Sequence, residues 1–371
     1  MNKLKIGVIG LKGLPAFGGA ATVGENIINE LRDDYSFFVY ASASHADEKY
    51  IPEGFTQIVF KKFFIQKLNI FFYYLCSALH SVFKAKYDMI HLHHVDGAFI
   101  LPILRLKYKV ICTSHAQPQV NEKWSATVRL FFKMNERIAL RMSNIFTVVS
   151  LPLRESIRKI SAREILYIPN GINLKQKITE GLPVNERYLL FAAGRIIPLK
   201  GLHTLIEAYA KGKFVQKLVV IGSLEHLPSY KEEILKTSDG LNILFVPLIK
   251  EKEKLLQYVK HADLFIFPSS SEAMSIMLLE AAFTMVPVVC SDIEANTAIF
   301  DETEFLFFRT NDSSDLREKM KFALDHKDHM KSKIEKAYNK LIEKYNWPII
   351  ARQYALQYSR LISSKKRFSS I

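Results

Sequence analysis

Cysteine is scarce in this 371-residue chain: Cys76, Cys112 and Cys290 stand far apart, with no Cys-x-x-Cys spacing. That pattern offers neither a disulfide framework nor a structural zinc site, and it points to a reducing compartment. No Asp-x-Asp occurs to hold a nucleotide-bound Mg²⁺. No Gly-x-Ser-x-Gly is present either, which removes a nucleophile-elbow serine hydrolase. The opening MNKLKIGVIG runs straight into a strand-like apolar stretch without a long h-region or a small-residue cleavage site, so no secretory signal is expected. Low-complexity segments are missing as well. A cytoplasmic globular protein is the expectation.

What is present supports that class. Hydrophobic residues make up 49% and charged residues 24%, and the length suits two domains of ordinary size. Net charge is +14, and residues 61–175 alone hold 18 Lys and Arg against 6 acids. A one-sided basic field suits a polyanion or an anionic membrane face. Nucleic acid is not expected, because no recognition module accompanies the charge.

Short apolar runs alternate with helix-period segments in two series. The first includes KIGVIG (5–10), FFVYAS (37–42), MIHLHH (89–94), KVICTS (109–114) and NIFTVVS (144–150). The second includes YLLFAAG (188–194), KLVVIGS (217–223), NILFVPL (242–248), DLFIFPS (263–269) and VPVVCS (286–291). Fully apolar strands separated by helices read as βαβ units around parallel sheets. The Gly-, Pro- and Asn-rich stretch 168–186 divides the series. The expected fold is therefore α/β, two Rossmann-like domains facing each other across a central cleft. In such sheets ligands sit beyond the carboxyl ends of the strands.

Residues 63–83 are the most apolar stretch. Lys67 and His80 interrupt it and Lys61, Lys62, Lys84 and Lys86 flank it, which argues against a membrane span. Two readings stay open: an interfacial helix on anionic lipid, or a core helix with its lysines at the rim.

The second series carries the strongest chemistry. In FPSSSEAMSIMLLEAAF, Glu272 lies in a strand-end loop and Glu280 in the first turns of the following helix. The amides of Met274, Ser275 and Ile276 then open that helix as donors for a phosphate. Glu280 suits a ribose diol, and Glu272 suits hydroxyls of a group beyond the phosphate; two solvated acids favouring the helix dipole is the plain alternative. GRIIPLKG ends another strand and offers Arg195 and Lys200, two cations for a diphosphate leaving group, or else a pair of surface cations. In the first series Gly18-Gly19 permits close backbone approach to a phosphate or sugar, or forms an ordinary turn. His115, after KVICTS, is placed to hydrogen-bond a substrate or serves structure alone. His91, His93 and His94 lack a completing cluster, so no metal is expected.

Together, AFGGA, DMIHLHH, TSHA, IPNGIN, GRIIPLKG, ADLFIFPSSSE, the Glu272–Glu280 pair and the closing YNWPIIARQYALQYSRL resemble the retaining glycosyltransferases of family four (glycosyl transferases group 1), which have the GT-B fold. The resemblance implies an acceptor-side domain over 1–172, completed by a returning helix at 346–371, and a donor domain over 173–345. It implies that Arg195 and Lys200 grip the donor diphosphate, Glu280 the ribose and Glu272 the transferred sugar. His115 would approach that sugar, and Gly18-Gly19 would line the phosphate side. A nucleotide-diphosphate sugar, UDP-linked by family frequency, would be co-substrate, with no metal or other cofactor. The acceptor would be a glycan or lipid-linked glycan of surface polysaccharide assembly, met by a protein peripheral to the inner membrane face. The chain departs from the family pattern where Ala273, Met274 and Ser275 replace Gly-Phe-Gly, where Met285 replaces glycine, and at DIEANTAIF. Those departures motivate a second reading, a catalytically silent GT-B subunit that binds a glycosyltransferase or a glycan.

Overall fold

The computed structural model describes residues 3–16, 19–47, 50–63, 65, 68–117 and 125–366, the last three by backbone alone. The chain divides into two compact units, Met1–Asn170 with Trp347–Ile371, and Gly171–Asn346.

The first unit is built on seven parallel strands in the order β3-β2-β1-β4-β5-β6-β7. They are β1 (Leu4–Ile9), β2 (Tyr35–Ser42), β3 (Thr56–Phe60), β4 (Met89–His93), β5 (Val110–Ser114), β6 (Ile145–Val148) and β7 (Leu166–Tyr167). Helices α1 (Gly19–Leu31), α2 (Asn69–Phe83), α3 (Leu101–Leu104), α4 (Ala126–Met142) and α5 (Leu151–Arg158) join them, with a 3₁₀ segment at Val95–Ile100. Every residue of β4 and β5 is buried, as both-face coverage requires. Serine starts two of the helices: Ser125 Oγ accepts from the Val128 amide, and Ser150 Oγ from the Leu153 amide. At the β1 exit Gly10 has φ +109°, and a Cβ there would lie 1.9 Å from the His93 carbonyl oxygen. Only glycine lets the β1 and β4 ends approach so closely.

The second unit carries six parallel strands in the order β10-β9-β8-β11-β12-β13. They are β8 (Tyr188–Arg195), β9 (Lys217–Ser223), β10 (Ile243–Val246), β11 (Leu264–Phe267), β12 (Val288–Ser291) and β13 (Leu306–Phe308). Its helices are α6 (Leu202–Gly212), α7 (Pro228–Thr237), α8 (Lys252–Lys260), α9 (Ile276–Thr284), α10 (Glu294–Thr297), α11 (Ser313–Asp325) and α12 (Lys327–Lys344). The chain then returns to the first unit as α13 (Trp347–Lys366). There Tyr358 donates to or accepts from His91 Nδ1 at 2.8 Å, and α13 packs on α1.

Within the apolar stretch 63–83, Asn69–Phe83 form α2, whose inner face (Tyr73, Tyr74, Ser77, Ala78, Ser81) is buried. No helix among the described residues is long and apolar enough to cross a membrane. All three cysteines are free, with Cys112 and Cys290 buried.

Candidate functional site

The second unit gathers its polar residues where β8, β11 and β12 end. Arg195 is the last residue of β8; it is exposed and, among the described residues, makes no ion pair. A single 3₁₀ turn, Pro198–Lys200, follows and closes at Gly201 with φ +70°. A Cβ on Gly201 would lie 2.0 Å from the Pro268 carbonyl oxygen just beyond β11, so both dihedral and space require glycine. The Ser270 amide donates to the Leu199 carbonyl at 2.9 Å, sealing the two strand-end loops together. Lys200 is thereby brought to the loop before α9, where Nζ donates to Glu272 Oε1 at 2.5 Å.

Helix α9 begins after Ser275, an extended N-cap whose side chain makes no capping bond. By helix geometry the amides of Ser275, Ile276, Met277 and Leu278 have no intrahelical acceptor. Two of the three expected donors, Ser275 and Ile276, belong to this set. Met274 stands one residue earlier and is buried.

Glu280 sits in the second turn of α9 at 2% exposure. Its Oε1 accepts from Lys252 Nζ of α8, while Oε2 is buried and, among the described residues, has no hydrogen-bond partner. An orphaned buried acceptor costs roughly 1–3 kcal/mol, so a donor brought to this oxygen would be stabilising. Sequence reasoning missed Lys252. It is one cation in the run KEKEK, and only the packing of α8 on α9 singles it out. The same edge holds Ser291, whose Oγ donates to the Ser269 carbonyl at 2.5 Å, and Asn296, whose Nδ2 donates to the Ser291 carbonyl at 2.9 Å. Asn296 Oδ1 is also buried and, among the described residues, without a partner. Met285, at the C-terminal end of α9, adopts φ +58°, a left-handed conformation that favours glycine.

In the first unit, Gly18 lies outside the described residues. Gly19 opens α1, and a Cβ on it would meet nothing within 4 Å. No neighbour therefore demands glycine there. His115 follows β5, and its Nε2 shares a hydrogen bond with His93 Nδ1 at 3.1 Å. Burial, together with the His94 and His91 rings, holds His115 well below the usual imidazole range. It is thus neutral at pH 7, a hydrogen-bonding group and not a cation. His91 is tied to Tyr358 and to Thr113, each at 2.8 Å, and burial lowers it to about 3. Among the described residues no group of three His, Cys, Asp or Glu has the geometry to hold a metal ion.

Arg195, Lys200, Glu272, Ser275, Ile276 and Glu280 therefore share the carboxyl edge of one sheet. Gly19 and His115 lie at the carboxyl edge of the other unit's sheet. Two cations, a helix N-terminus and a buried acid with a free oxygen make an edge suited to a ligand both anionic and rich in hydroxyls.

Comparison with known proteins bears on that chemistry. The family profile described as "Glycosyltransferase Family 4" matches residues 17–176, and "Glycosyl transferases group 1" matches residues 175–340. A putative teichuronic acid biosynthesis glycosyltransferase, TuaC of Bacillus subtilis, is 27% identical over 198 residues, 50% of this chain and 48% of that protein. The chain thus spans about half the length of that relative. The N,N'-diacetylbacillosaminyl-diphospho-undecaprenol alpha-1,3-N-acetylgalactosaminyltransferase of Campylobacter jejuni is 22% identical over 64% of this chain and 66% of its own. Among solved structures, sucrose-phosphate synthase from Thermosynechococcus elongatus aligns with TM-score 0.82 at 20% identity, covering 98% of this chain and 100% of that one. Anabaena HepE in complex with UDP-glucose aligns with TM-score 0.79 at 16% identity, covering 96% and 100%.

Proposed function

This chain belongs to glycosyltransferase family four, the group 1 glycosyl transferases, with the two-domain GT-B fold, and from that premise we propose a specific activity. It transfers a hexosyl group from a UDP-sugar to a lipid-linked glycan with retention of configuration and without a metal, during surface polysaccharide assembly. It works in the cytoplasm, at the inner face of the membrane. TuaC supports the pathway class, and the Campylobacter transferase, named for a diphospho-undecaprenol substrate, supports a lipid-linked acceptor. HepE, solved with UDP-glucose, supports the donor.

The observation that carries this reading is Glu280, buried at 2% with Oε2 unpartnered among the described residues. The two hydroxyls of a ribose are the donors it lacks. Arg195 and the amides at the start of α9 meet the diphosphate, and Lys200 leaves Glu272 for the phosphate. Glu272 is then released to accept from hydroxyls of the sugar. As the C1–O bond to the diphosphate breaks, charge builds on the leaving oxygen, where fixed cations stabilise the transition state most. The acceptor oxygen bonds to C1 from the same face, and its proton passes to the departing phosphate oxygen. No protein nucleophile is required. His115, neutral, supplies a hydrogen bond to a substrate hydroxyl at the carboxyl edge of the first unit.

The test is a thermal-shift panel of UDP, GDP, ADP and CMP with their sugars. A ligand at a hundredfold excess over its Kd stabilises by about 2.7 kcal/mol, and UDP and UDP-sugars are expected to raise the Tm. A response confined to another nucleotide overturns the donor, and no response to any overturns the transferase reading in favour of a silent subunit.

A further inference from the structure

Three elements of the first unit place aromatic rings side by side on its outer surface. Phe71 of α2 stacks on Phe99 of the 3₁₀ segment at 4.9 Å with planes 6° apart, and Phe99 lies 6.1 Å from Phe131 of α4. Leu130 and Met134 extend the strip along α4 at 57% and 53% exposure. Burying a side chain of this size is worth roughly 1.5–3 kcal/mol, and a contiguous exposed strip marks an interaction surface.

Asp96 of the 3₁₀ segment is paired with Lys12 at 3.4 Å and accepts from Tyr74 at 3.0 Å; the other charges beside the strip are positive. Arg129 and Lys133 lie among these residues on α4 and, among the described residues, make no ion pair; Lys61 and Lys62 are exposed after β3. Helix α2 contains no acid. The one acid of α4, Glu136, is buried and accepts from Gln117 Nε2 at 3.0 Å. A second copy of this chain docked by a two-fold axis would bring these cations against themselves. An anionic bilayer surface complements both the rings and the cations.

Position strengthens the case. In a parallel sheet, a segment that follows a strand starts at the sheet's carboxyl edge. Helix α2 follows β3, the 3₁₀ segment follows β4 and α4 follows β5, so Phe71, Phe99, Leu130 and Phe131 lie towards the edge that carries His115. We propose that this strip is the membrane-docking surface of the protein, seated at the headgroup level of an anionic leaflet. A lipid-linked acceptor in that leaflet is thereby presented to the carboxyl edge of the first unit. This inference rests on the lipid-linked acceptor of the proposed function and names where the lipid surface is met.

Sedimentation with phosphatidylcholine vesicles, with and without phosphatidylglycerol, tests it on the full chain. Two double variants are compared with the unaltered protein: Leu130→Gln with Met134→Gln, and Arg129→Gln with Lys133→Gln. Their melting temperatures and UDP affinity serve as folding controls. The unaltered protein is expected to pellet with the anionic vesicles alone and to be released by salt. Each double variant should bind those vesicles roughly tenfold more weakly, with UDP affinity unchanged. Vesicle binding that is equal for neutral and anionic lipid overturns the proposal, as does binding unaltered in folded, UDP-binding variants. A dimer in solution that the Leu130/Met134 change splits assigns the strip to a second copy and overturns it too. Selective vesicle binding by a protein that binds no nucleotide supports the surface while faulting the transferase reading.

Discussion

Single residues carry the sharpest consequences. Met285 holds φ +58° in an exposed position. A side chain in the left-handed region costs about 1 kcal/mol, and little packing is lost by removing an exposed one. Met285→Gly is therefore expected to stabilise the protein by about 0.5–1 kcal/mol, seen as a higher Tm; an unchanged or lower Tm contradicts it. The histidines of the first unit give a pH dependence of definite sign. His91 has a folded value near 3 against an ordinary 6.5, because burial penalises the imidazolium. Between those limits the unfolded chain binds a proton that the folded chain does not. Stability is thus fully present above 6.5 and falls as pH drops, by about 1.4 kcal/mol per pH unit for each such histidine. His93 and His115 are displaced in the same direction by burial. Melting curves from pH 7 to 4 should fall steeply for the unaltered protein and less steeply for His91→Asn; parallel curves would refute this assignment.

At the scale of elements, legibility followed burial. Fully apolar strands such as β4, β5, β11 and β12 and the helices between them stand out in the sequence, because parallel strands covered on both faces cannot be polar. β3 is half-exposed at the sheet edge, and β7 and β13 have two and three residues, too few for a pattern. The loop residues Arg195, Lys200 and Glu272 were readable as strand-end chemistry. Lys252 was not, because its pairing with Glu280 exists only once α8 meets α9. Nor does a sequence reveal that Lys200 already holds Glu272 in the free protein. Gly201 shows how an element positions a charge: with φ +70° and a carbonyl 2.0 Å from any Cβ, it lets the β8 loop lie on the β11 end. Gly201→Ala is expected to destabilise the fold by more than about 1 kcal/mol and to weaken UDP binding, since Lys200 moves with the loop. UDP affinity equal to that of the unaltered protein would detach Lys200 from the diphosphate.

Over the whole molecule, charge and chemistry are divided between the two units. The basic excess collects in residues 61–175, within or just beyond the unit whose outer strip is aromatic. The paired acids and cations lie in the unit of Gly171–Asn346. That division matches a protein that meets an anionic surface with one unit and a nucleotide-diphosphate sugar with the other. The central claim is that Arg195 and Lys200, the cations at the β8 end, hold the diphosphate. Arg195 probes it most directly, because it is exposed and, among the described residues, makes no ion pair, so its removal is expected to leave the fold intact. Calorimetric titration of UDP and of uridine into the unaltered protein and into Arg195→Ala separates the phosphate contribution from that of the nucleoside. A hydrogen bond to a charged group contributes about 1.5–3 kcal/mol, so UDP affinity should fall tenfold or more while uridine affinity stays the same. Equal UDP affinity in the two proteins, at equal Tm, would contradict the account.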